Sequence, residues 1–167
     1  MTLNKTDVLI IGGGPAGSTF AAMMKQQGRD VTLVEKDHHP RFHIGESLLP
    51  MNMPILERLG VMDQIEAIGV PKLGADFTIG NSGEQERTFY FRDALGDSPP
   101  HAFEVRRSEC DEILFENARK GGANVFEGMP VTRGSPLKDG PHDVLGIDDN
   151  GDTREGNAGG LGEGSGG

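Results

Sequence analysis

Residues 7–35 constrain the fold more than any other stretch of the chain. An almost wholly apolar run, Asp7-Val8-Leu9-Ile10-Ile11, leads directly into Gly12-Gly13-Gly14-Pro15-Ala16-Gly17. A short apolar run bounded by turn formers reads as a strand buried on both faces of a parallel sheet. Residues 18–27, rich in alanine, methionine and glutamine, predict a helix closed by Gly28 as its C-cap. Val31-Thr32-Leu33-Val34 is a second buried strand, and Glu35 stands at its end. Strand, loop, helix and strand in this order form a βαβ unit, so the expected class is α/β with a parallel sheet.

The loop matches G-x-G-x-x-G, and the spacing from Gly12 to Glu35 (35 − 12 = 23) is close to the ~20 residues usual between such a loop and its acidic partner. Gly12 permits the tight turn, Gly14 lets a pyrophosphate approach the backbone, and Gly17 lets the helix pack closely on the sheet. Pro15 and Ala16 belong to the same loop, and the unpaired amides and positive dipole end of the helix that follows attract phosphate. Glu35 is placed to accept from ribose hydroxyls, and its charge disfavours a 2′-phosphate, hence NADP. The loop therefore predicts an adenine dinucleotide site and leaves FAD and NAD both open.

The remaining composition narrows the class. With 26 acidic against 16 basic side chains the net charge is −10, which argues against nucleic acid or an anionic membrane as partner. No segment approaches the ~20 apolar residues of a membrane span, and a cytoplasmic location is expected. The lone Cys110 excludes an internal disulfide, and the five histidines lack ligand spacing, so no metal is expected. Phe89, Tyr90 and Phe91 read as sheet core and wall. Residues 133–155 are turn-rich, with a short strand expected at 144–147 and room for a short hairpin, and residues 156–167 read as a glycine-rich flexible tail.

Beyond the second strand, Pro40-Arg41-Phe42-His43-Ile44-Gly45-Glu46-Ser47-Leu48-Leu49-Pro50 resembles the FAD-dependent halogenase family, and the related geranylgeranyl-reductase-like flavoproteins. Three more segments extend the resemblance: Pro71-Lys72-Leu73-Gly74-Ala75-Asp76-Phe77, Thr88-Phe89-Tyr90-Phe91, and Val105-Arg106-Arg107-Ser108-Glu109-Cys110-Asp111 with its following helix. The resemblance implies a Rossmann-like FAD-binding domain of the glutathione-reductase and hydroxylase type over residues 1–132. Within it, inserted strands around 75–105 would contribute part of a β-rich substrate domain.

The same resemblance assigns site residues. FAD would be held by Gly12, Gly14, Pro15, Ala16, Gly17, Glu35, Lys36, Arg41, Gly45, Ser47 and Arg107, with Val131 near the adenine. Lys72 matches the lysine that handles oxidised halide. The implied reaction uses FADH2, delivered by a separate flavin reductase, with oxygen and halide to halogenate an electron-rich aromatic substrate. A reductase or monooxygenase of the geranylgeranyl-reductase-like group, and an inactive nucleotide-binding fragment, are the alternatives. Family members carry a later W-x-W-x-I-P segment, whereas this chain has no tryptophan, so it corresponds to their N-terminal portion. Residues 153–167 resemble the family's next strand with glycine in place of several bulky residues.

Overall fold

The computed structural model describes residues 6–79, 85–134, 142–150 and 152–158. The chain divides into two compact units, Met1–Arg41 with Asp111–Gly167, and Phe42–Cys110. In the first unit, β1 (Val8–Ile11), β2 (Val31–Val34) and β7 (Asn124–Phe126) form a parallel sheet in the order β1-β2-β7. The middle strand β2 is buried along its whole length, Thr32 included, as a strand covered on both faces of a parallel sheet is. The outer strand β1 departs from the two-faced burial expected of it, with Ile11 59% exposed. Its position at one side of the described sheet, not its composition, sets that exposure.

Helix α1 (Pro15–Gln26) starts three residues earlier than its apolar pattern indicated, because Pro15 supplies a preset φ at its first position. Ser18, Ala21 and Ala22 are its buried residues. Side chains this small let the helix axis come close to the strands. The helix ends with Gln27 as C-cap, and Gly28 follows in a left-handed conformation. Helix α4 (Arg107–Lys120) carries the chain back into the first unit, where Leu114, Phe115 and Ala118 are fully or almost fully buried.

A second sheet of the first unit pairs β8 (Val131–Gly134), β9 (His142–Ile147) and β10 (Thr153–Ala158) in antiparallel order β10-β9-β8. Strands β9 and β10 form a hairpin, and β9 runs longer than the four residues expected of it. The expected start of the tail is corrected: Gly156, Asn157 and Ala158 pair with Val144, Asp143 and His142. Ladder hydrogen bonds need only backbone groups, so a glycine can occupy a strand that its side chain does nothing to favour. The rest of the tail, 159–167, lies outside the described residues.

The second unit contains α2 (Met53–Leu59), α3 (Met62–Ile68), and two antiparallel pairs. One joins β3 (Val70–Lys72) to β6 (Ala102–Glu104), the other joins β4 (Gly74–Ile79) to β5 (Gln85–Tyr90). Met53, Leu56, Leu59, Ile65 and Phe103 are buried here. Of the aromatic run expected to be sheet core and wall, Phe91 is buried, while Phe89 and Tyr90 are exposed. Among the described strands β4 pairs with β5 alone, and a two-stranded ribbon has too little area to cover both of its faces. Among the described residues, no helix is long and apolar enough to cross a membrane.

Candidate functional site

The turn from β1 into α1 is built by glycines with different tasks. Gly12 has φ +105°, and its N–H donates to the Val34 carbonyl at 2.8 Å, which ties the loop to β2. A Cβ on Gly17 would stand 1.9 Å from the Gly12 carbonyl oxygen, so the helix can approach the loop only without a side chain there. Gly13, the variable position of the motif, was passed over in the sequence. A Cβ on it would meet the Phe115 ring at 2.7 Å, a contact with a residue far away in sequence. Gly14 is different again: its nearest neighbour would be Arg41 Nη2 at 3.6 Å, an ordinary contact.

Glu35 is 3% exposed and makes several bonds. Its Oε2 accepts from Gly13 N–H at 2.5 Å and from Arg41 Nη2 at 3.3 Å, and its Oε1 accepts from Asp37 N–H at 3.0 Å. Its backbone is gripped as well, donating to the Phe126 carbonyl and accepting from Met129 N–H. The carboxylate at the end of β2 is thus fixed against the loop, and it presents an acceptor beside the helix N-terminus. Arg41 also lies within 3.8 Å of Asp37.

These groups border one cleft of ≈ 520 Å³, within the ~300–1,000 Å³ of ligand pockets. Gly12, Gly14, Pro15, Ala16, Gly17, Glu35, Lys36, Arg41 and Val131, all singled out in the sequence, line it. Ile11, Val34, Met129 and Pro130 line it too and were missed. Met129 and Pro130 directly precede Val131, and an apolar pair between two strands was the available signal. The cleft therefore brings together the start of α1, the Arg41 cation, the Glu35 acceptor and an apolar wall.

Gly45, Ser47, Lys72 and Arg107 belong to the second unit. Arg107 Nη1 donates to the Ile44 carbonyl at 3.0 Å and the Gly45 carbonyl at 3.5 Å, holding the Gly-Glu-Ser turn. That turn is also fastened by Leu48 N–H to the Phe103 carbonyl and Val105 N–H to the Glu46 carbonyl. Lys72 Nζ donates to Ser47 Oγ and lies 5.5 Å from the centre of the Phe91 ring. Strand β3 supplies the lysine and the turn supplies the hydroxyl, a pairing that sequence spacing did not reveal.

Among the described residues, no three His, Cys, Asp or Glu side chains stand where they would hold a metal ion. Glu127 is perturbed: burial pushes its carboxyl up, but bonds from the His39 backbone and ring and from Arg119 outweigh this and leave it below its ordinary value of 4.5.

Residues 5–153 match the family model described as FAD binding domain. The chain is 42% identical over 130 residues to a tryptophan 2-halogenase of Chondromyces crocatus, covering 78% of this chain and 24% of that protein. The fold superposes on a flavoprotein/dehydrogenase from Cytophaga hutchinsonii with a TM-score of 0.84 and 35% identity, over 93% of this chain and 38% of that one. It superposes on the myxobacterial chondrochloren halogenase, an FAD-dependent halogenase, with a TM-score of 0.83 and 31% identity, over 93% and 36% of the two chains. The chain spans about a quarter of the length of the curated relative it matches.

Proposed function

The chain belongs to the FAD binding domain family, and we propose that it forms the cofactor-binding N-terminal portion of a flavin-dependent halogenase. The observation that carries the cofactor is the cleft itself. A Cβ at Gly17 has no room, Gly12 takes a left-handed turn, and Glu35 is locked beside the α1 N-terminus, the arrangement a pyrophosphate and its ribose require. The Gly12–Gly17 loop and Arg41 would hold the phosphates, Glu35 the adenosine ribose, and the wall from Met129 to Val131 the adenine.

Halogenase chemistry rests on Lys72 and on the likeness to halogenases. FAD held by these residues, once reduced by a separate flavin reductase, would supply the oxygen activation that turns halide into an electrophile. Lys72 Nζ, kept near Ser47 Oγ and the Phe91 face, would aim that electrophile at an electron-rich aromatic ring. A primary amine suits this task because it can donate a hydrogen bond or, when neutral, accept halogen. The enzyme of which this chain is part would act in the cytoplasm on small aromatic molecules.

The test has two arms. Flavin retained by the purified chain after addition of FAD and desalting is read from its visible absorbance, and saturable one-to-one binding is expected. In the enzyme translated from the complete reading frame, Lys72→Met should retain FAD and lose halogenation of a phenol or pyrrole panel. Full halogenation by that variant would overturn the assignment.

A further inference from the structure

Glu35 and Arg41 do not stand alone. Arg41 Nε donates to His39 Nε2 at 3.4 Å, and the Arg41 side chain is largely buried. His39 Nδ1 in turn meets Glu127 Oε1 at 3.0 Å, and the same oxygen accepts from the His39 backbone N–H at 2.8 Å. Glu127 Oε2 accepts from Arg119 at 2.9 Å. The imidazole, 3% exposed, is stacked on Phe115 with ring centres 4.4 Å apart and planes 25° from parallel. The Phe115 ring also abuts Gly13 of the loop and lies 5.1 Å from the Arg119 guanidinium carbon.

The chemistry of these groups fixes their order. An ionised carboxylate only accepts, so Glu127 requires the imidazole proton on Nδ1, which leaves Nε2 with a lone pair. That lone pair faces the Arg41 guanidinium, a group that only donates. Arg41 is then oriented by His39 through Nε while its Nη2 remains on Glu35 at the phosphate loop. We infer that His39 and Glu127 are positioning residues for dinucleotide binding, setting the reach of Arg41 across the loop from behind the cleft. This rests on the dinucleotide reading of the cleft but assigns work to residues that do not line it. The long Arg41–His39 bond is the adjustable joint, since an arginine pulled wholly onto Glu35 would turn from the phosphates. A histidine inside a carboxylate–imidazole–guanidinium chain keeps that pull balanced.

Titration calorimetry of the 167-residue chain with ADP and with FAD tests this. His39→Phe keeps the ring stack and removes both polar bonds. About tenfold weaker binding of both probes is expected, the size of one lost bond to a charged group. His39→Gln, which carries an amide oxygen near the place of Nε2, should recover most of the loss. In an Arg41→Ala background, His39→Phe should cost nothing more, because its effect passes through Arg41. If His39→Phe does not fold, as judged by its circular dichroism melt, Glu127→Gln takes its place in the same cycle. Unchanged affinity in the single variant, or additive losses in the double variant, would overturn the inference while leaving the dinucleotide site intact. A wild-type chain that binds neither ADP nor FAD would overturn both.

Discussion

Two glycine-to-alanine changes three residues apart should have opposite consequences. Gly17 lies inside α1, where alanine ordinarily gains about 0.5–1 kcal/mol through helix propensity. Here its Cβ would sit 1.9 Å from the Gly12 carbonyl oxygen, whereas real Cβ contacts do not fall below 3.0 Å. Relief requires a retreat of about 1.1 Å (3.0 − 1.9) by the helix or by the backbone of the loop, and neither is a flexible side-chain end. Overpacking of this kind costs about 1–3 kcal/mol, so after the propensity gain the net loss reaches about 2.5 kcal/mol. For a chain of this size that lowers Tm by up to about 10 °C. Gly14 has φ −73° and ordinary clearance, so Gly14→Ala should keep Tm within a few degrees. Its Cβ would instead occupy the path of the pyrophosphate, and FAD affinity should fall at least tenfold. Paired circular dichroism melts and FAD titrations read both quantities. A Gly17→Ala variant melting at or above wild type would refute the steric reasoning.

Three further outcomes are expected. Phe115 is fully buried, stacked on His39 and packed against Gly13, so Phe115→Ala should lose about 3–5 kcal/mol in urea unfolding and weaken FAD binding with it. A loss under 1 kcal/mol would show that the ring fills no essential space. His38 is held above its ordinary value of 6.5, chiefly by its hydrogen bond to Asp149 at 2.7 Å. Its contribution is present below 6.5 and lost as pH rises through the raised value, so the fall in Tm as pH rises above 6.5 should be shallower in His38→Ala than in wild type. Glu127 is shifted the other way: burial opposes its charge, but the His39 and Arg119 bonds prevail. Its contribution is present above 4.5 and lost as pH falls through the lowered value, and Glu127→Gln should flatten acid unfolding there.

Much of the cofactor cleft was legible because its parts are local. Gly12, Gly14, Pro15, Ala16 and Gly17 follow one another directly, and Glu35 is one helix and one strand away. The turn-to-helix geometry that makes a phosphate site is set by φ angles and missing side chains, which sequence displays openly. Strand pairing was less legible. The burial of β2 and the exposure of Ile11 come from apolar runs of similar character and differ only by place in the sheet. Likewise, nothing in Gly156-Asn157-Ala158 favours a strand, and among the described residues β9 provides the partner.

By itself, then, the sequence determined the βαβ unit, its phosphate loop and its acidic terminus, because short-range sterics and an apolar period encode them. Tertiary structure alone decided what stands behind that loop. Phe115, Arg119 and Glu127 come from a helix and strand end 76 to 88 residues beyond His39, and packing brings them to His39 and Gly13. Lys72 and Ser47 meet in the same way across twenty-five residues. Contacts of that range depend on which faces of which elements are buried together, a property of the whole packed chain that no local pattern carries.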